Sequence, residues 1–594
     1  LPKVVVKDSP ISDIQPLDNA DVTRITEKDI EEQQYVTLGD ALRRVPGAYV
    51  TQGGGIGQDS RISIRGAGGQ NTTVIVNGMP INDSGSFDNS FNLSRWTLDD
   101  ISNIQIVHGP MSSLYGPGGM GGVLLIDTKK GQGPHKNFAK AEGGSFSTYT
   151  QTVGVQGQKH LVDYYLVGSR IQSEGGSTTP KRHISTFQEK LDNPLNQETI
   201  NSRLGFGPEA SHISFVTRYL SRRLGFRQHP NDIYPYRQNF SESFNRLQGH
   251  FETSSCNWIH ELGLGYYQND LLLTNPALSV IRRNAMQTQF DWRQIYEFSN
   301  QLQFQVATDI AQEKLFWYKA PKLNHNFRAS HGGIGGSVTY KPYENFELMG
   351  SSRFDKYQGI QSTGTYRLGG KYVLNKTTIK GGLGTAFNAP TLQQKFFIDT
   401  WGTGNPKLKP ERSFGWDFGV EHPLMDRKLS LGATIFQNRI NDLMAFSRAL
   451  ATMINIDKAR TQGVEGTIKL HPTSLWTIAL THTYTQAWDE KSKMGLVGNP
   501  RNKTTLCVTK QADLNWFISA NVLYVSPRFT NDAVSWKRVS TPSYTIVGAE
   551  TYYQLNDQWQ VYGRGENLLN RRYESPQSLQ QPGLGIYVGL RAQC

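Results

Sequence analysis

Long apolar runs are missing from this chain of 594 residues. No stretch reaches 18 consecutive apolar residues, which excludes helical membrane spans. Cysteine is scarce: Cys256, Cys507 and Cys594 lie far apart, and no C-x-x-C occurs. That spacing supports neither a zinc site nor a disulfide framework. H-E-x-x-H and G-x-S-x-G are both absent, so the chain reads as a non-enzyme without a cofactor or resident metal. The net charge of +12 comes without a helix-turn-helix, zinc-finger or RNP pattern, so nucleic acid is not the expected partner. Leu1-Pro2-Lys3 carries no charged and apolar leader. For an exported protein the expectation is a mature chain.

What is abundant is glycine, at 59 residues, with 26 Tyr, 27 Phe and 11 Trp. These favour an aromatic-rich β protein. A mean hydropathy of −0.49 does not exclude a transmembrane barrel, whose strands turn only alternate residues to lipid. Charge is uneven along the chain. Residues 1–135 hold 11 basic and 15 acidic residues, while the remainder holds 51 and 35. A basic second zone is either a solvated surface or one that faces an anion, such as lipopolysaccharide or an anionic substrate.

Two zones follow. In the first, Thr26 precedes Asp29 at capping-box spacing. Leu38, Leu42 and Val45 then share a helical face that Pro46-Gly47 ends. Short strands are predicted at 48–51, 61–65 and 73–76, the last turning at Asn77-Gly78. Residues 101–129, ISNIQIVHGPMSSLYGPGGMGGVLLIDTK, contain Gly116, Gly118 and Gly121 at G-x-G-x-x-G spacing. A dinucleotide loop must open a helix, but these glycines lead into the strand pattern Val123-Leu124-Leu125-Ile126. The second zone alternates. Trp476, Ile478, Leu480 and Tyr484 oppose Thr477, Ala479, Thr481, Thr483 and Thr485, and Leu584, Ile586, Val588 and Leu590 oppose Gly585, Gly589 and Arg591. A membrane barrel and a soluble sandwich share this period. The 459 residues after position 135 supply twenty-two strands at about 21 residues apiece with connections.

The chain resembles the TonB-dependent outer-membrane receptors, of the siderophore and vitamin B12 branch. The matching segments are LGDALRRVPG at 38–47, ISIRGAG at 62–68, VIVNGMPIND at 74–83 and residues 101–129. The barrel adds FNAPTLQQ at 387–394, GNPKLKPERS at 404–413, NRINDLM at 438–444, ARTQGVEG at 459–466 and ENLLNRRYE at 566–574. The resemblance implies a transmembrane β-barrel of about 22 antiparallel strands with an N-terminal α+β plug domain in its lumen. The expected divisions are 1–20 for a Ton box and linker, 21–135 for the plug and 136–594 for the barrel. It implies a monomer in the bacterial outer membrane, energised through TonB and the ExbB–ExbD complex.

Val4, Val5 and Val6 are the candidate Ton box, since a β-branched extended segment can add to a partner sheet. The other reading is a first plug strand. Gly66, Gly109, Gly116 and Gly121 suit positive φ or close backbone approach. Arg61 and Arg65 are either an ordinary strand face or paired arginines that bind carboxylates across the plug–barrel seam. Substrate candidates lie on two apices, Gln52, Gln58 and Asp59, then Asn82, Asp83 and Phe87. A third group is Arg222, Arg223, Phe226, Arg227, Tyr234 and Tyr236, where arginines interleave with aromatics. The expected function is TonB-dependent import of a scarce metal chelate, first a ferric siderophore, alternatively cobalamin. TQGGGIGQ at 51–58 resembles the B12 branch, but no Asp-rich loop pair accompanies it. No histidine lies between Phe387 and Glu411, which disfavours haem. A passive porin or a signalling receptor ranks lower. His108 stands where related sequences usually carry Arg.

Overall fold

The computed structural model describes residues 19–594 except 177–192, 227–235, 254–256, 276–278, 320–322, 400–401, 448–449 and 533–536. Val4 to Val6, Arg227 and Tyr234 therefore lie outside the described residues.

The first zone is a small α+β domain. Two short helices, Glu27–Glu32 and Leu38–Arg43, each begin with a capping box, Thr26 with Asp29 and Thr37 with Asp40. Side-chain oxygens there take the otherwise orphaned first-turn N–H groups. Five strands then lie side by side in the order Val22–Thr26, Ile101–His108, Gly122–Thr128, Thr72–Val76, Met79–Pro80. Thr72–Val76 and Gly122–Thr128 run parallel and are buried along their whole length, as expected of strands covered on both faces. Val22–Thr26 occupies the free edge. Residues 101–129 form strand, single helical turn Ser112–Tyr115 and strand. The Gly118 N–H donates to the carbonyl of Phe387 on the barrel (2.8 Å), so the glycine segment serves packing.

The second zone is a closed antiparallel barrel of twenty-two long strands, from Lys136–Gly144 to Gly585–Gln593, which pair to close it. The chain enters at the end where short turns join the strands, called the turn end. The opposite, loop end carries longer connections, including residues 389–410, which hold the helix Leu392–Phe396. Strand length varies around the circumference, from 8 residues in Trp559–Glu566 to 21 in Ser279–Ser299. Alternation divides each strand. Leu204, Phe215, Leu264, Ile310, Phe418 and Val588 are exposed on the outer face, while Gln197, Arg218, Glu242 and Thr461 are buried on the inner one. Apolar outside and polar inside is the inverse of a soluble sandwich, and it separates the two readings that shared one period. The lumen is filled by the first zone. Its core of Leu38, Leu42, Ile64, Met79, Ile81, Trp96 and Leu124 reaches Val216, Phe244 and Tyr267 of the barrel.

Candidate transport site at the plug–barrel seam

Arg65 sits at the tip of a tight turn. Ile64 and Ala67 exchange both backbone hydrogen bonds (3.0 and 2.9 Å), and the two residues between them have φ of +50° (Arg65) and +81° (Gly66). Positive φ at both centres is the type I′ hairpin geometry, which glycine adopts freely and arginine does not. A Cβ on Gly66 would also meet Ala487 and Thr485 of the barrel at 3.1 Å. The turn delivers the buried Arg65 guanidinium to the barrel wall. Nε and Nη2 donate to the two oxygens of Glu465 (2.9 Å each), and Nη2 also donates to Asp21 (2.5 Å). The ring of Phe436 lies 4.8 Å away. Such a bidentate pair is strong when whole, and removal of one partner strands a buried charge at a cost of about 3–5 kcal/mol.

Arg61 behaves otherwise. It is half-exposed and pairs with Asp59 (2.7 Å) and Asp88, both in the plug. The two arginines diverge because the strand Ser60–Ile64 ends before Arg65, so alternation no longer holds them on one face.

Asp21 links this cluster to the start of the described chain. Its carboxylate also meets Lys380 of the barrel (3.2 Å), and its carbonyl accepts the His108 N–H (3.0 Å). Asn19 donates to Glu347 of the barrel (2.7 Å). Although burial opposes ionisation, the Arg65 and Lys380 charges hold the Asp21 carboxyl well below the usual carboxylate range. Burial first, then the Arg65 charge, pushes His108 below the usual histidine range, so its ring is neutral at pH 7. An arginine at 108 would put a further cation beside Arg65 and Lys380. Gly109 and Gly116 have positive φ, and Gly121 has no room for a Cβ against Ala67.

Further polar contacts fasten the plug to the same side. Arg44 pairs with Glu550 (2.5 Å), and Lys503 donates to the carbonyls of Val45 and Ala48 (2.6 Å each). The opposite wall differs. There the barrel's charged groups pair with one another: Arg246 with Asp291 (2.8 Å), Arg293 with Glu261, and Arg353 with Asp309 (2.5 Å) and Asp355 (2.8 Å). Between this wall and the plug lies a cavity of about 1730 Å³. Glu209 and Glu252 line it at the turn end, and Glu313, His331 and Tyr357 line it further up. Small-molecule pockets are usually ~300–1,000 Å³, so this is room for passage as well as for binding. An apolar cluster stands at its upper limit. Ala285 and Leu315 of the barrel are buried against Leu392 of the loop helix, with Phe327 stacked on Phe396 at 4.9 Å. Thr391, the N-cap of that helix, donates to the carbonyl of Ser86 on a plug apex (3.2 Å).

The expected substrate residues scatter. Asp83 is buried and paired with Arg283 (2.6 Å). Asn82 clamps its own loop, accepting from Val74 N–H and donating to the carbonyls of Thr72 and Asn89. Gln58 is buried and donates to Gly225 O, while Gln52 accepts from Arg43 and donates to Gly55 O. These four are hydrogen-bonded or ion-paired within the protein. Asp59 is half-exposed. Phe87 packs edge-on to Phe397 (5.1 Å) beneath a loop-end cluster with Met444 and Met453. Arg222 and Arg223 are adjacent in one strand and face opposite ways. Arg222 is buried beside Ser94 (3.2 Å) and Arg223 is exposed outside. Phe226 stacks on Tyr236 at 5.5 Å. Sequence reasoning missed Asp21 and Arg283, which belong to no local motif; it quoted the segments that hold Glu465 (459–466) and the loop helix (387–394) without giving either a role, although Thr391 and Gln394 stand at capping-box spacing.

A plugged barrel with this seam defines a class of gated receptor. The profile described as TonB dependent receptor-like, beta-barrel, matches residues 137–568, and that of the TonB-dependent receptor plug domain matches 18–123. The chain belongs to the TonB-dependent receptors. It is 23% identical over 579 residues to the vitamin B12 transporter BtuB of Photobacterium profundum, covering 94% of this chain and 90% of that protein. Its fold is similar to a mutant ferric enterobactin receptor of Pseudomonas aeruginosa in complex with enterobactin, with a TM-score of 0.84, 16% identity and 97% and 99% of the two chains covered. The siderophore receptor PirA of Acinetobacter baumannii gives 0.81, 18%, 96% and 98%.

Proposed function

We propose that the chain imports a ferric siderophore across the bacterial outer membrane, on energy delivered by TonB with ExbB–ExbD, and performs no chemistry on its cargo. The observation that carries this reading is the plug itself, which fills the lumen and is fastened by buried ion pairs. Passive diffusion is closed, so passage needs an energised step. In such barrels the short turns face the periplasm and the longer loops face outward, which puts the edge strand Val22–Thr26 on the energised side. Residues 1–20 then serve as partner-binding segment and linker, with Val4, Val5 and Val6 added as a strand to a TonB sheet.

A pull on that segment acts first on Asn19 and Asp21. It withdraws Asp21 from Arg65 and Lys380, then strips Val22–Thr26 from the sheet edge. Arg65 loses one of its two close carboxylates, which loosens the turn against Glu465. Cargo held at the loop end, by Asp59, Phe87, Phe226, Tyr236 and neighbouring residues, descends along the cavity wall once the Leu392–Leu315 cluster parts. Only part of the plug has to move, because the cavity already separates it from much of that wall; the Asp83–Arg283 pair near the loop end (2.6 Å) and the Asn19–Glu347 contact (2.7 Å) are the ties that must give.

Support for a siderophore comes from the basic barrel zone and from the fold shared with receptors of ferric enterobactin type. Cobalamin is the second reading, favoured by the identity with a B12 transporter over nearly the whole chain. Binding of the purified protein to a panel of ferric siderophores and to cyanocobalamin decides between them. Tight cobalamin binding with no siderophore binding overturns the first reading.

A further inference from the structure

The outer face of the barrel carries a group of cations that neither the plug nor the seam explains. It lies on three neighbouring strands, Glu411–Leu424, Leu429–Ser447 and Thr452–Leu470. Arg412 is exposed between buried Glu411 and Ser413. Arg439 is exposed between buried Asn438 and Ile440, and Lys458 is exposed beside buried Ala459. Asn438 points inward, donating to the carbonyl of Met120 on the plug (3.0 Å), so Arg439 points away from the lumen. Arg460 lies between the wholly buried Ala459 and Thr461 and takes the same outward phase.

Strand register makes these one patch. Phe414, Arg439, Arg460 and Trp488 are successive cross-strand partners, and Arg412, Asn441 and Lys458 form the next row towards the loop end. Directly opposed side chains in an antiparallel ladder stand ~5 Å apart at Cβ, where like charges repel. Arg439 and Arg460 nevertheless face each other. Among the described residues, no carboxylate forms an ion pair with any of the four cations. The Arg460 guanidinium rests 5.6 Å from the Trp488 ring. The next outward row towards the turn end is Trp416, Gln437, Gln462 and Gln486, with the glutamines hydrogen-bonded side chain to side chain; beyond it the same phase is apolar, with Phe418, Ile435, Val464 and Ile468 all exposed.

A ligand for this surface is anionic at one end and apolar at the other. Paired arginines match phosphate oxygens, and a tryptophan at the boundary suits a membrane interface. We infer that the patch binds the phosphate-bearing headgroup of a multiply acylated lipid of the outer leaflet, with its acyl chains on the aromatic belt below. The repulsion between Arg439 and Arg460 is relieved when one phosphate lies between them. The inference rests on the outer-membrane reading above and adds the residues that would hold the lipid.

The test uses the full chain in detergent, with native mass spectrometry against bisphosphorylated lipid A and the same lipid stripped of phosphate. The double variant Arg439→Gln, Arg460→Gln is compared with the parent and with Lys376→Gln, Lys428→Gln, which removes the same charge from turn-end loops. Binding of the phosphorylated lipid is expected to weaken about tenfold or more in the first variant, and not in the second. Binding of the stripped lipid is expected to be equal in all three. A variant within about twofold of the parent, or a parent indifferent to the phosphates, overturns the proposal. So does inorganic phosphate alone binding as tightly as the lipid. Heat-modifiable migration reports folding, and Arg439→Lys, Arg460→Lys, which keeps the charge, is expected to bind at intermediate strength. Cell fractionation separates the two failures. A chain absent from outer membranes defeats the outer-membrane reading, while a chain present there with patch-independent lipid binding defeats only this proposal.

Discussion

The plug meets its barrel in two ways. On the side of Glu465, Glu550 and Lys503, barrel charges are satisfied by the plug. On the side of Arg246, Arg293 and Arg353, barrel charges satisfy one another and leave a cavity of about 1730 Å³. The difference is one of independence. Near the loop end this wall too is tied to the plug, through Arg283 and Asp83 (2.6 Å), but the ion pairs of Arg246, Arg293 and Arg353 are internal and keep their partners when the plug shifts. A wall whose charges depend on the plug resists such a shift by the full cost of an unpaired buried ion. One side is thus a hinge-like fastening, and the other is open to passage.

The largest effect expected is on the energised pull. Val5→Pro removes a backbone donor and constrains the candidate strand, so uptake should fall to background while cargo binding is retained. Uptake that persists places the partner segment elsewhere. Next comes the cap of the open wall. In a background with its cysteines changed to serine, Leu392→Cys with Leu315→Cys should form a disulfide that lowers uptake ~10-fold or more, since closing lids set transport as they set turnover. Reductant should restore it. Radiolabelled uptake before and after reduction is the measurement, and undiminished uptake in the oxidised protein shows that cargo does not pass this cluster. The third contrast compares the walls directly. Glu465→Gln should destabilise plug docking, by less than the ~3–5 kcal/mol of a wholly stranded buried charge because Asp21 stays on Arg65 (2.5 Å), read from denaturant unfolding of a plug-placed fluorophore. Asp291→Asn, on the open wall, should leave that transition in place. Equal shifts would erase the distinction between the walls.

The smallest effect is the pH dependence of the fastened side. His108 and Asp21 both have folded pKa values below their ordinary ones. A depressed folded pKa means that the unfolded chain takes up protons first, so the stabilisation is whole above the unfolded pKa and is lost as pH falls. For His108 the loss begins below about pH 6.5. For Asp21 it begins below about pH 3.8. Plug docking should weaken between pH 7 and 5 by at most about 1.4 kcal/mol per pH unit from one group. His108→Asn should flatten the profile over that window. A parental profile already flat there would mean that His108 does not report on docking.

Much of the fold was legible because it rests on local periods. Thr26 with Asp29 announced a capped helix, and the glycines after Tyr115 announced a turn into a buried strand. Alternation in residues 476–485 announced a β-strand with one apolar face, although the period alone did not choose between a membrane barrel and a soluble sandwich. The site was less legible. Arg61 and Arg65 looked equivalent by spacing, yet the strand ends between them, and Gly66 was the local sign that a turn begins there. Arg222 and Arg223 were grouped as one cluster, although period two alone sends neighbours to opposite faces. Asn82 and Asp83 were read as apex residues without partners being assigned, because the groups they bond, Asn89, Thr72 and Arg283, lie up to 200 positions away.

The sequence by itself determined a small mixed first zone followed by long alternating strands, because those features follow from composition and period, and the resemblance of its ordered motifs to the TonB-dependent receptors implied that the first zone plugs a barrel made by the second. Only the tertiary structure decided which charges depend on the plug and which do not. Glu465 and Asp291 are alike in sequence, each a carboxylate on an inward strand position. What separates them is the nearest guanidinium, from the plug in one case and from a barrel strand two places away in the other, and that depends on where closure of the barrel brings the chain together.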